Sequence, residues 1–562
     1  MAKSGDKKKQ QHGEDQGKVA ITAASRYEAL SSSRSSYLER ARQCSKLTLP
    51  SLLPEDDSGG KVSDAPFKTP FQGIGAEGVS TLAARILLTM FPPNMPMFRM
   101  TLNDDKLRET REKASQTMEA TKEQQAWETE VQTALSKYEQ AVQADIEASG
   151  DRPTIHESLL HLIIAGNGLL YDSHDVGQGM RFFPLSRYVV NRDPIGRWME
   201  MVIHEKASLK ALPVEEQQRI ITAMNGGGGD GSTEITDETL VDLYTHVTRD
   251  GDKCYSYQEC GGQRIEGTDG EYPVDGCPFI PLRMYWVAGE DYGRSYVENY
   301  LGDLKSLEAL TQAIIEGSAI SAKVVFLVQP NGTTKAVDLQ RAPNGGFITG
   351  NAQDVTALQV QKAADLRVAL ETMQIIQQRL AKAFMLMDGI RRDAERVTAE
   401  EIRAMASELE ASLGGIYSML AQEYQLPYAK RRIFRLTKAS KLPALPKDTA
   451  LPTIITGFEA LGRGNDKQKL TSFLTTIASI FGPQAVQQYV NVPDGLSRLA
   501  AADGINTEGL IKTPEQIQQE QQEAQQMQMA QQLGPEAMKM MMAGNTSAQQ
   551  QQQPQQQQEG TM

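Results

Sequence analysis

Three glycines, Gly73, Gly75 and Gly78, fit the pattern G-x-G-x-x-G. In dinucleotide-binding proteins such glycines let a buried strand turn tightly into a helix that faces a pyrophosphate. Here the preceding residues, 65–70, read Ala-Pro-Phe-Lys-Thr-Pro, with two prolines and no apolar run. The segment therefore favours a loop leading into a helix, and a nucleotide-binding enzyme remains an alternative interpretation.

Histidines and cysteines were considered as metal ligands. His156 and His161 resemble a zinc-protease helix, but five residues at about 100° each place them about 140° apart, so they cannot share a metal. Residues Cys254, Cys260 and Cys277 with His246 lack the short paired spacing of a structural zinc site and favour buried free thiols.

No catalytic constellation emerges from the remaining residues. The sequence contains neither G-x-x-x-x-G-K-[ST] nor G-x-S-x-G. Four cysteines in 562 residues do not make a disulfide framework, which indicates a reducing compartment. We therefore expect no enzymatic activity, no metal and no cofactor.

Two basic clusters, residues 430–432 (Lys-Arg-Arg) and 391–392 (Arg-Arg), lack interleaved aromatic residues. This pattern favours a solvated face or ion pairing over DNA contact. The second cluster belongs to a loop of mixed charge, Gly389 to Val397, that contains Arg391, Arg392, Asp393, Glu395 and Arg396. Such a loop could be an active-site lid, a nucleic-acid contact, or a part repeated around a ring.

Composition bounds the class of protein. Length predicts roughly three or four domains, and 40% apolar residues suffice for real cores. The formal charge of −13 argues against a protein that grips nucleic acid by neutralising phosphates throughout. The basic start has no apolar run after it, and the apolar stretches Val79–Phe91 and Leu159–Tyr171 are too short to cross a bilayer, so we expect a soluble protein without membrane contact.

Periodicity predicts an α+β fold that is mainly α. The first helices are expected at Ser25–Cys44, Val79–Phe91, Glu112–Ala148 and Arg152–Leu170. Short strands are then expected at Arg181–Tyr188, Val189–Arg192, Trp198–His204, Thr239–Thr248, Lys253–Glu259 and Ile280–Val287.

Three long helices and a small β insert follow. Ser295 with Glu298 forms a capping-box pattern that opens the first of them. The insert, Lys323–Val360, is expected to contain three β runs, Val324–Val328, Phe347–Thr349 and Val355–Val360, with turns at Asn331-Gly332 and Asn344-Gly345.

The second long helix is expected at Leu366–Asp388, and the capping-box pair Thr398 and Glu401 opens the third. About 28 residues at ~1.5 Å each would make this third helix a rod of roughly 42 Å, kinked or ended at Pro427. Smaller helices are expected from Leu451 to Ala500, and a Gln-rich tail without fixed structure closes the chain.

Several stretches together resemble the portal protein (head-to-tail connector) family of short-tailed, autographivirus-type podovirus bacteriophages. They span about residues 25–510, in the family's order. They are SRYEALSSSRSSYLERARQCSKLTLPSLLP, PFQGIGAEGVSTLAARILLTMFPP, YGRSYVENYLGDLKSLEALTQAIIEGSAISAKV, ERVTAEEIRAMASELEASLGGIYSMLAQEYQLP and IITGFEALGRGND.

The resemblance implies a portal fold that assembles as a homo-oligomeric ring of about twelve copies around a channel at one capsid vertex. DNA would enter through the channel during packaging and leave during ejection, and the ring would carry the tail. The implied parts are a flexible arm (1–24), wing (25–292), first stem helix (293–322), clip (323–361), second stem helix (362–388), channel loop (389–397), long wing helix (398–440), crown (441–512), barrel helix (513–542) and disordered tail (543–562).

The resemblance also assigns roles to residues. Ser295, Glu298, Lys323, Asn331 and Gly332 would belong to the stem and clip, and Thr398 and Glu401 would cap the long helix. The three arginines of the channel loop would form collars facing DNA, partly neutralised by neighbouring carboxylates. Twelve charges of −13 give about −156, so the whole assembly would repel DNA and let it slide.

The implied partners are the major capsid protein, a scaffolding protein, the terminase large subunit, a tail adaptor or tubular protein, internal core proteins, and double-stranded DNA without sequence specificity. The protein would be made in the host bacterial cytoplasm and reside in the virion. Another virion component, such as a tail adaptor or internal core protein, remains a further alternative.

Overall fold

The structure, a computed structural model, divides into two compact units, Met1–Gly462 and Arg463–Met562. It describes residues 22–54, 68–93, 97–101, 118–224, 240–321, 325–358, 363–386, 399–413, 415–442, 453–456, 463–482, 490, 495–496 and 499. Helices dominate the described residues and small antiparallel sheets accompany them, which confirms the predicted α+β, mainly α class.

The first unit contains all but one of the helices in the described part of the chain. They are α1 (Ala23–Lys46), α2 (Ile74–Met90), α3 (Met118–Ala148), α4 (Arg152–Ala165), α5 (Val214–Met224), α6 (Leu301–Ser321), α7 (Ala336–Arg341), α8 (Ala363–Ala383), α9 (Ala399–Leu413), α10 (Ile416–Leu420) and α11 (Leu426–Lys438). In the second unit, α12 spans Arg463–Phe481. No helix among the described residues is long and apolar enough to cross a membrane.

The strands form four antiparallel sheets. They are β1 (Phe98–Thr101), β2 (Asn167–Asp172), β3 (Met180–Pro184), β4 (Tyr188–Arg192), β5 (Trp198–Ser208), β6 (Leu240–Asp250), β7 (Lys253–Cys260), β8 (Gln263–Arg264), β9 (Gly270–Pro273), β10 (Phe279–Arg283), β11 (Val325–Val328), β12 (Val355–Leu358) and β13 (Thr453–Thr456). The sheet orders are β1-β13, β10-β2-β3, β11-β12 and β4-β5-β6-β7-β8, with β9 also paired to β7.

The main apolar core lies where α2 and α4 pack together with α3, α9 and α11. Fully buried side chains such as Leu82, Leu159 and Tyr424 meet there, and Tyr424 also exchanges a 2.7 Å hydrogen bond with Ser158. A second core lies between α1 and the sheets and includes Tyr188 and Tyr292. Both cores join segments that are far apart in the sequence, so the N-terminal helices and the helices after residue 399 fold as one body.

The predicted helix from Arg152 to Leu170 is wrong in its last five residues. Helix α4 ends at Ala165, and Gly166 takes the left-handed conformation with φ of 73°. The next residues form β2, the central strand of its sheet. Apolar residues on both sides of Gly166-Asn167-Gly168 concealed the change, because a buried helix and a buried central strand are both apolar on every side.

The third long helix is not one rod. Gly415 has φ of 89°, and this left-handed residue separates α9 from α10. The chain then continues through a π-helical turn, Ala421–Gln425, directly into α11. Pro427 therefore does not end the helix: its missing N–H cannot bond to the carbonyl four residues earlier, and a π turn accommodates that loss.

Three further expectations are wrong. Phe347–Thr349 is not a strand, since β11 pairs directly with β12 and the Phe347 side chain is fully exposed. The segment expected to be helical after Leu451 contains β13, which pairs with β1 because its run Thr-Ile-Ile-Thr is β-branched. Helix α5, ending at Met224, was not expected at all.

Candidate channel and docking elements

The expected channel loop, with Arg391, Arg392, Asp393, Glu395 and Arg396, lies outside the described residues, as do Lys323 and Thr398. Glu401 lies in the first turn of α9. The described parts on either side are the pair α6 and α8 before the loop, and α9 to α11 after it.

The predicted cap at Ser295 is present in half of its expected form. Ser295 Oγ accepts a hydrogen bond of 2.9 Å from the amide of Glu298. The Glu298 carboxylate does not return this bond but pairs with Arg40 Nε of α1 at 3.0 Å. A 3₁₀ turn, Val297–Tyr300, precedes α6. The cap therefore begins the helix and also ties it to the N-terminal body.

Helices α6 and α8 lie antiparallel. Three contacts fix their register: Asp303 pairs with Arg379, Thr311 Oγ1 donates to Met373 Sδ over 3.7 Å, and Gly317 lies against Leu366. Near the start of α6 the pair is sealed by buried residues, Leu304, Leu307, Leu380 and Phe384.

Toward the β insert, the same helix pair exposes apolar side chains. Ile320 is 53% exposed on α6, and Ile375 is 65% exposed on α8. The insert continues this surface with Phe326, Leu327, Val337, Phe347 and Ile348, all of them exposed. We call this set, together with Ile315, Val368 and Leu370, the apolar stem surface. Exposed apolar side chains that recur along one helix pair and its insert make these elements a candidate association surface.

The β insert is organised by one carboxylate, that of Asp354. It accepts hydrogen bonds from the amide of Thr334 at 3.1 Å and from the hydroxyl of Thr333 at 3.0 Å. The bond from the Thr334 amide lowers the pKa of Asp354, with the Thr333 hydroxyl adding to the effect. A Cβ on Gly332 would lie 2.6 Å from the Asp354 carboxyl carbon. The glycine is thus required by close approach of the carboxylate.

The turn predicted at Asn331-Gly332 is confirmed. The amide of Gly332 donates to the carbonyl of Gln329 at 3.1 Å, and Asn331 is exposed at its tip. This turn lies directly after β11, where it brings Thr333 and Thr334 back toward the start of β12. The insert therefore has a defined shape without a large core of its own.

The basic cluster at residues 430–432 is an ion-pair centre. Arg431 is 1% exposed and Arg432 is 0% exposed, so neither can lie on a solvated face or touch DNA. Arg431 bonds to Asp172 at 3.2 Å and also to Asp175. Arg432 pairs with Asp151. The sequence favoured either a solvated face or ion pairing for this cluster, and ion pairing is confirmed.

The pairs of this centre join α11 to three other elements. Asp145 at the end of α3 meets both Arg432, at 3.3 Å, and Arg435. Burial, and then the charge of Arg435, lower the pKa of Arg432 to about 9. Burial by itself raises the pKa of Asp172, but a hydrogen bond from His174 and the charge of Arg431 outweigh it and leave the pKa lowered. We call these side chains (Asp145, Asp151, Asp172, His174, Asp175, Arg431, Arg432 and Arg435) the buried ionic centre.

Of the glycines at 73, 75 and 78, the last two serve packing, whereas a Cβ on Gly73 would meet nothing within 4 Å. A Cβ on Gly75 would lie 2.5 Å from the carbonyl oxygen of Leu47, and one on Gly78 would lie 2.6 Å from the ring of Phe384. Helix α2 does begin here, as predicted, but residues 68–70 before it are not a strand. The Glu308 carboxylate accepts hydrogen bonds from the backbone amides of residues 71 and 72. These two amides of the loop therefore already have a partner within the chain.

The candidate metal ligands are also engaged within the protein. His246 contacts the Tyr257 hydroxyl at 2.8 Å and Glu200 at 2.7 Å through its two ring nitrogens. All four cysteines are buried and free, as predicted for Cys254, Cys260 and Cys277. Across the ranges that the structure describes, no group of three or more His, Cys, Asp or Glu side chains could hold a metal ion.

Most of the chain is similar to one family of known proteins. The profile of the family described as "Bacteriophage head to tail connecting protein" matches residues 20–511. The chain is 40% identical over 502 residues to the portal protein of Escherichia phage T7, covering 88% of this chain and 89% of that one. It is 38% identical over 517 residues to the portal protein of Enterobacteria phage T3, covering 91% of each.

Among solved structures, the neck of an empty GTA particle aligns with a TM-score of 0.31 at 11% identity, covering 67% of this chain and 91% of that one. A score this low carries no argument about the fold, so the assignment rests on the sequence matches. Those matches span nearly the whole of both chains, and the resemblance first seen in separate stretches is confirmed. The chain belongs to the family of bacteriophage head-to-tail connecting proteins.

Proposed function

We propose that this chain is a portal protein: a subunit of a ring at one capsid vertex, through which DNA enters during packaging and leaves during ejection, and to which the tail attaches. The observation that carries the proposal is the 40% identity to the T7 portal protein over 88% of this chain. The proposal applies to the chain as a whole, because the match leaves no large region to which a different activity could belong.

The apolar stem surface supports assembly into a ring. In a single subunit, 57% of the surface of Phe326 and 65% of the surface of Ile375 are exposed to water. Burying apolar surface stabilises association by about 25 cal/mol per Å². In a closed ring, every subunit presents the same two faces to its two neighbours. A neighbour would therefore cover the apolar stem surface of every subunit.

Within this proposal, α6 and α8 are the two stem helices, and the β11–β12 insert is the clip. The body formed by α1 to α5 and the six-stranded sheet is the wing, and α9 to α11 are the long wing helix, broken at Gly415. Residues 389–397 are the channel loop, 441–512 the crown and 513–542 a barrel helix. The antiparallel register of α6 and α8 supports the first assignment, since the insert joins the two helices at one end of the pair and residue 386 lies at the other.

The channel loop would meet DNA through a mixed set of charges. Arg391, Arg392 and Arg396 alternate with Asp393 and Glu395. Each retained phosphate contact would resist sliding, so partial neutralisation of the arginines suits a channel that passes DNA in both directions.

The ring itself would perform no chemistry. Energy for packaging would come from a terminase ATPase that docks transiently at the clip, and a tail adaptor would later occupy that end. The major capsid protein, a scaffolding protein and internal core proteins would be further partners during assembly or in the virion.

The proposal is tested by the mass of the purified protein in solution, together with negative-stain images of the same sample. Twelve copies of the 61.9 kDa chain have a mass of about 743 kDa. We expect rings with a central hole near that mass. A stable monomer or dimer at every concentration would overturn the proposal, and a chain that joins only a pre-existing ring would instead be an adaptor.

A further inference from the structure

A cavity of about 250 Å³ lies on the first unit, away from the apolar stem surface. Three elements surround it: the turn between β4 and β5, the 3₁₀ turn Val274–Gly276 before β10, and the π turn that leads into α11. None of the side chains around it belongs to the candidate channel loop or to the buried ionic centre. The cavity therefore lies in the proposed wing, outside the elements to which DNA contact or ring assembly is assigned above.

Two guanidinium groups in the cavity wall have no carboxylate partner among the described residues. Arg192 donates to three backbone carbonyls, those of Asp291 at 3.0 Å, Gly196 at 3.0 Å and Pro281 at 3.1 Å. These bonds hold the group in place without an ion pair, and the nearby charges of Glu423 and Asp291 offset its charge only in part.

The second guanidinium is that of Arg249. Its Nε donates to the carbonyl of Gly251 at 3.2 Å, and its Cζ lies 5.8 Å from the centre of the Trp198 ring. An aromatic face and a carbonyl orient this charge but do not neutralise it.

Both carboxylates in the wall are already paired. Asp275 accepts from Lys430 Nζ at 2.9 Å, and Glu423 pairs with Arg283 at 2.5 Å. Arg197, the remaining cation in the wall, pairs with Asp193. After this pairing, the positive charges of Arg192 and Arg249 remain in excess.

A neighbouring buried guanidinium, that of Arg283, is paired with Glu423 and donates to the same Gly196 carbonyl as Arg192. Nη1 of Arg283 is buried without a hydrogen-bond partner and lies 3.4 Å from the point that a Cβ on Gly196 would occupy. Burial, followed by the charge of Arg283, lowers the pKa of Arg192 to about 10. An anion beside Arg192 would offset both effects, because it favours the charged form of the guanidinium.

The rest of the wall is apolar and includes Trp198, Phe279 and Leu426. At about 250 Å³ the cavity is smaller than the roughly 300–1,000 Å³ of pockets that enclose drug-sized ligands, so it has room for one or two side chains and not for a nucleotide. Duplex phosphates lie on a wide convex surface and suit an open basic face rather than a recess with apolar walls.

We propose that this cavity binds an acidic peptide segment of a partner protein. One carboxylate of the peptide lies against Arg192 and Arg249, and an adjacent apolar side chain lies against Trp198 and Phe279. Arginine and aromatic side chains are the residue types that most often anchor such interfaces.

The test measures fluorescence anisotropy of two labelled peptides, EFDLE and its neutral counterpart QFNLQ, with the assembled full-length protein. We expect the acidic peptide to bind with a Kd of about 1 mM or tighter at low salt and the neutral one to bind at least tenfold more weakly. Arg249→Glu should weaken the acidic peptide at least about tenfold. Lys206→Glu is the matched control, since it reverses an exposed charge on β5 outside the cavity and should leave binding unchanged.

Equal binding of the two peptides, or no binding of EFDLE at all, would overturn the proposal. So would Arg249→Glu and Lys206→Glu weakening binding to the same extent, which would indicate general charge attraction. Displacement of the peptide by duplex DNA at equal charge concentration would assign the cavity to nucleic acid instead. The mass of each variant is measured in parallel, so that loss of the ring is distinguished from loss of the site.

Discussion

The buried ionic centre and the apolar stem surface reverse the usual distribution of residues in opposite ways. The first places guanidinium groups, such as that of Arg432, among fully enclosed side chains, and the second leaves aromatic and aliphatic groups, such as Phe326, in water. Buried charges are tolerated where each finds a partner within the subunit. Exposed apolar groups are tolerated where a neighbouring molecule covers them. The first region therefore completes its interactions within one chain, and the second requires another chain.

This comparison predicts that breaking the buried ionic centre prevents folding of the subunit. Arg432→Ala leaves Asp151 buried and without its guanidinium partner, and such losses cost about 3–5 kcal/mol. The measurement is the yield of soluble protein and the midpoint of urea unfolding. Lys430→Ala is the control: it removes an exposed pair with Asp275 and should change stability by about 0.5 kcal/mol or less. Equal losses in the two variants would contradict the contrast drawn here.

Changes in the apolar stem surface should leave the subunit folded but prevent assembly. In the double variant Phe326→Asp and Ile375→Asp, we expect the mass to fall from about 743 kDa to that of single chains with unchanged circular dichroism. Val214→Asp alters an apolar residue that is equally exposed, on α5, and should still form rings. Rings that survive the double change would mean that another surface holds them.

A smaller effect is expected for the channel loop, because it belongs to neither region. The double change Arg391→Glu and Arg392→Glu should leave the ring at its normal mass, since it adds no apolar surface and removes none. We expect the fraction of DNA-filled particles to fall, through impaired packaging or retention, by about tenfold. Packaging at the normal level would show that DNA is not sensed at these residues.

The smallest effect concerns pH within the β insert. The pKa of Asp354 is lowered on folding, so its hydrogen bonds contribute to local stability above the ordinary value of 3.8, and the contribution is lost as pH falls through the folded value. Hydrogen exchange of the Thr334 amide, corrected for intrinsic rates, should accelerate in acid for the native chain. In Asp354→Asn it should already be fast near pH 6 and should not change further with acid. Parallel pH profiles for the two proteins would contradict this assignment.

The sequence predicted most helices because their stripes and caps are local features. Ser295 caps its helix in half of the expected form, and α2 begins within the glycine segment that was expected to lead into a helix. Where local signals conflicted with long-range packing, the prediction failed. Gly415 takes the left-handed conformation that separates α9 from α10, and the apolar stripe of the sequence runs through this break without a change of period.

The candidate sites show the same limit. The arginines at 431 and 432 gave a correct alternative, ion pairing, but their partners lie more than 250 residues earlier in the chain, at positions such as Asp172. Nothing in the sequence around Arg192 or Arg249 distinguishes them from other surface arginines. Their place in one cavity wall is evident only from the fold, which brings the turn after β4 next to the π turn before α11. The insert is an intermediate case, since the Asn331-Gly332 turn was predicted and the bonds of Asp354 were not.

The packing of Phe384 against Gly78 fixes the end of α8 to the body of the subunit. Two contacts clamp this end of the helix to the body. One is the packing of Phe384 at Gly78, and the other is the 2.7 Å hydrogen bond from the Tyr296 hydroxyl to the Ala383 carbonyl. In the proposed ring, the segment after residue 386 starts from the same clamped point in every subunit. Those points form the corners of a regular polygon, and its diameter is set by core packing. Changes in the loops could then narrow or widen the aperture without moving its corners.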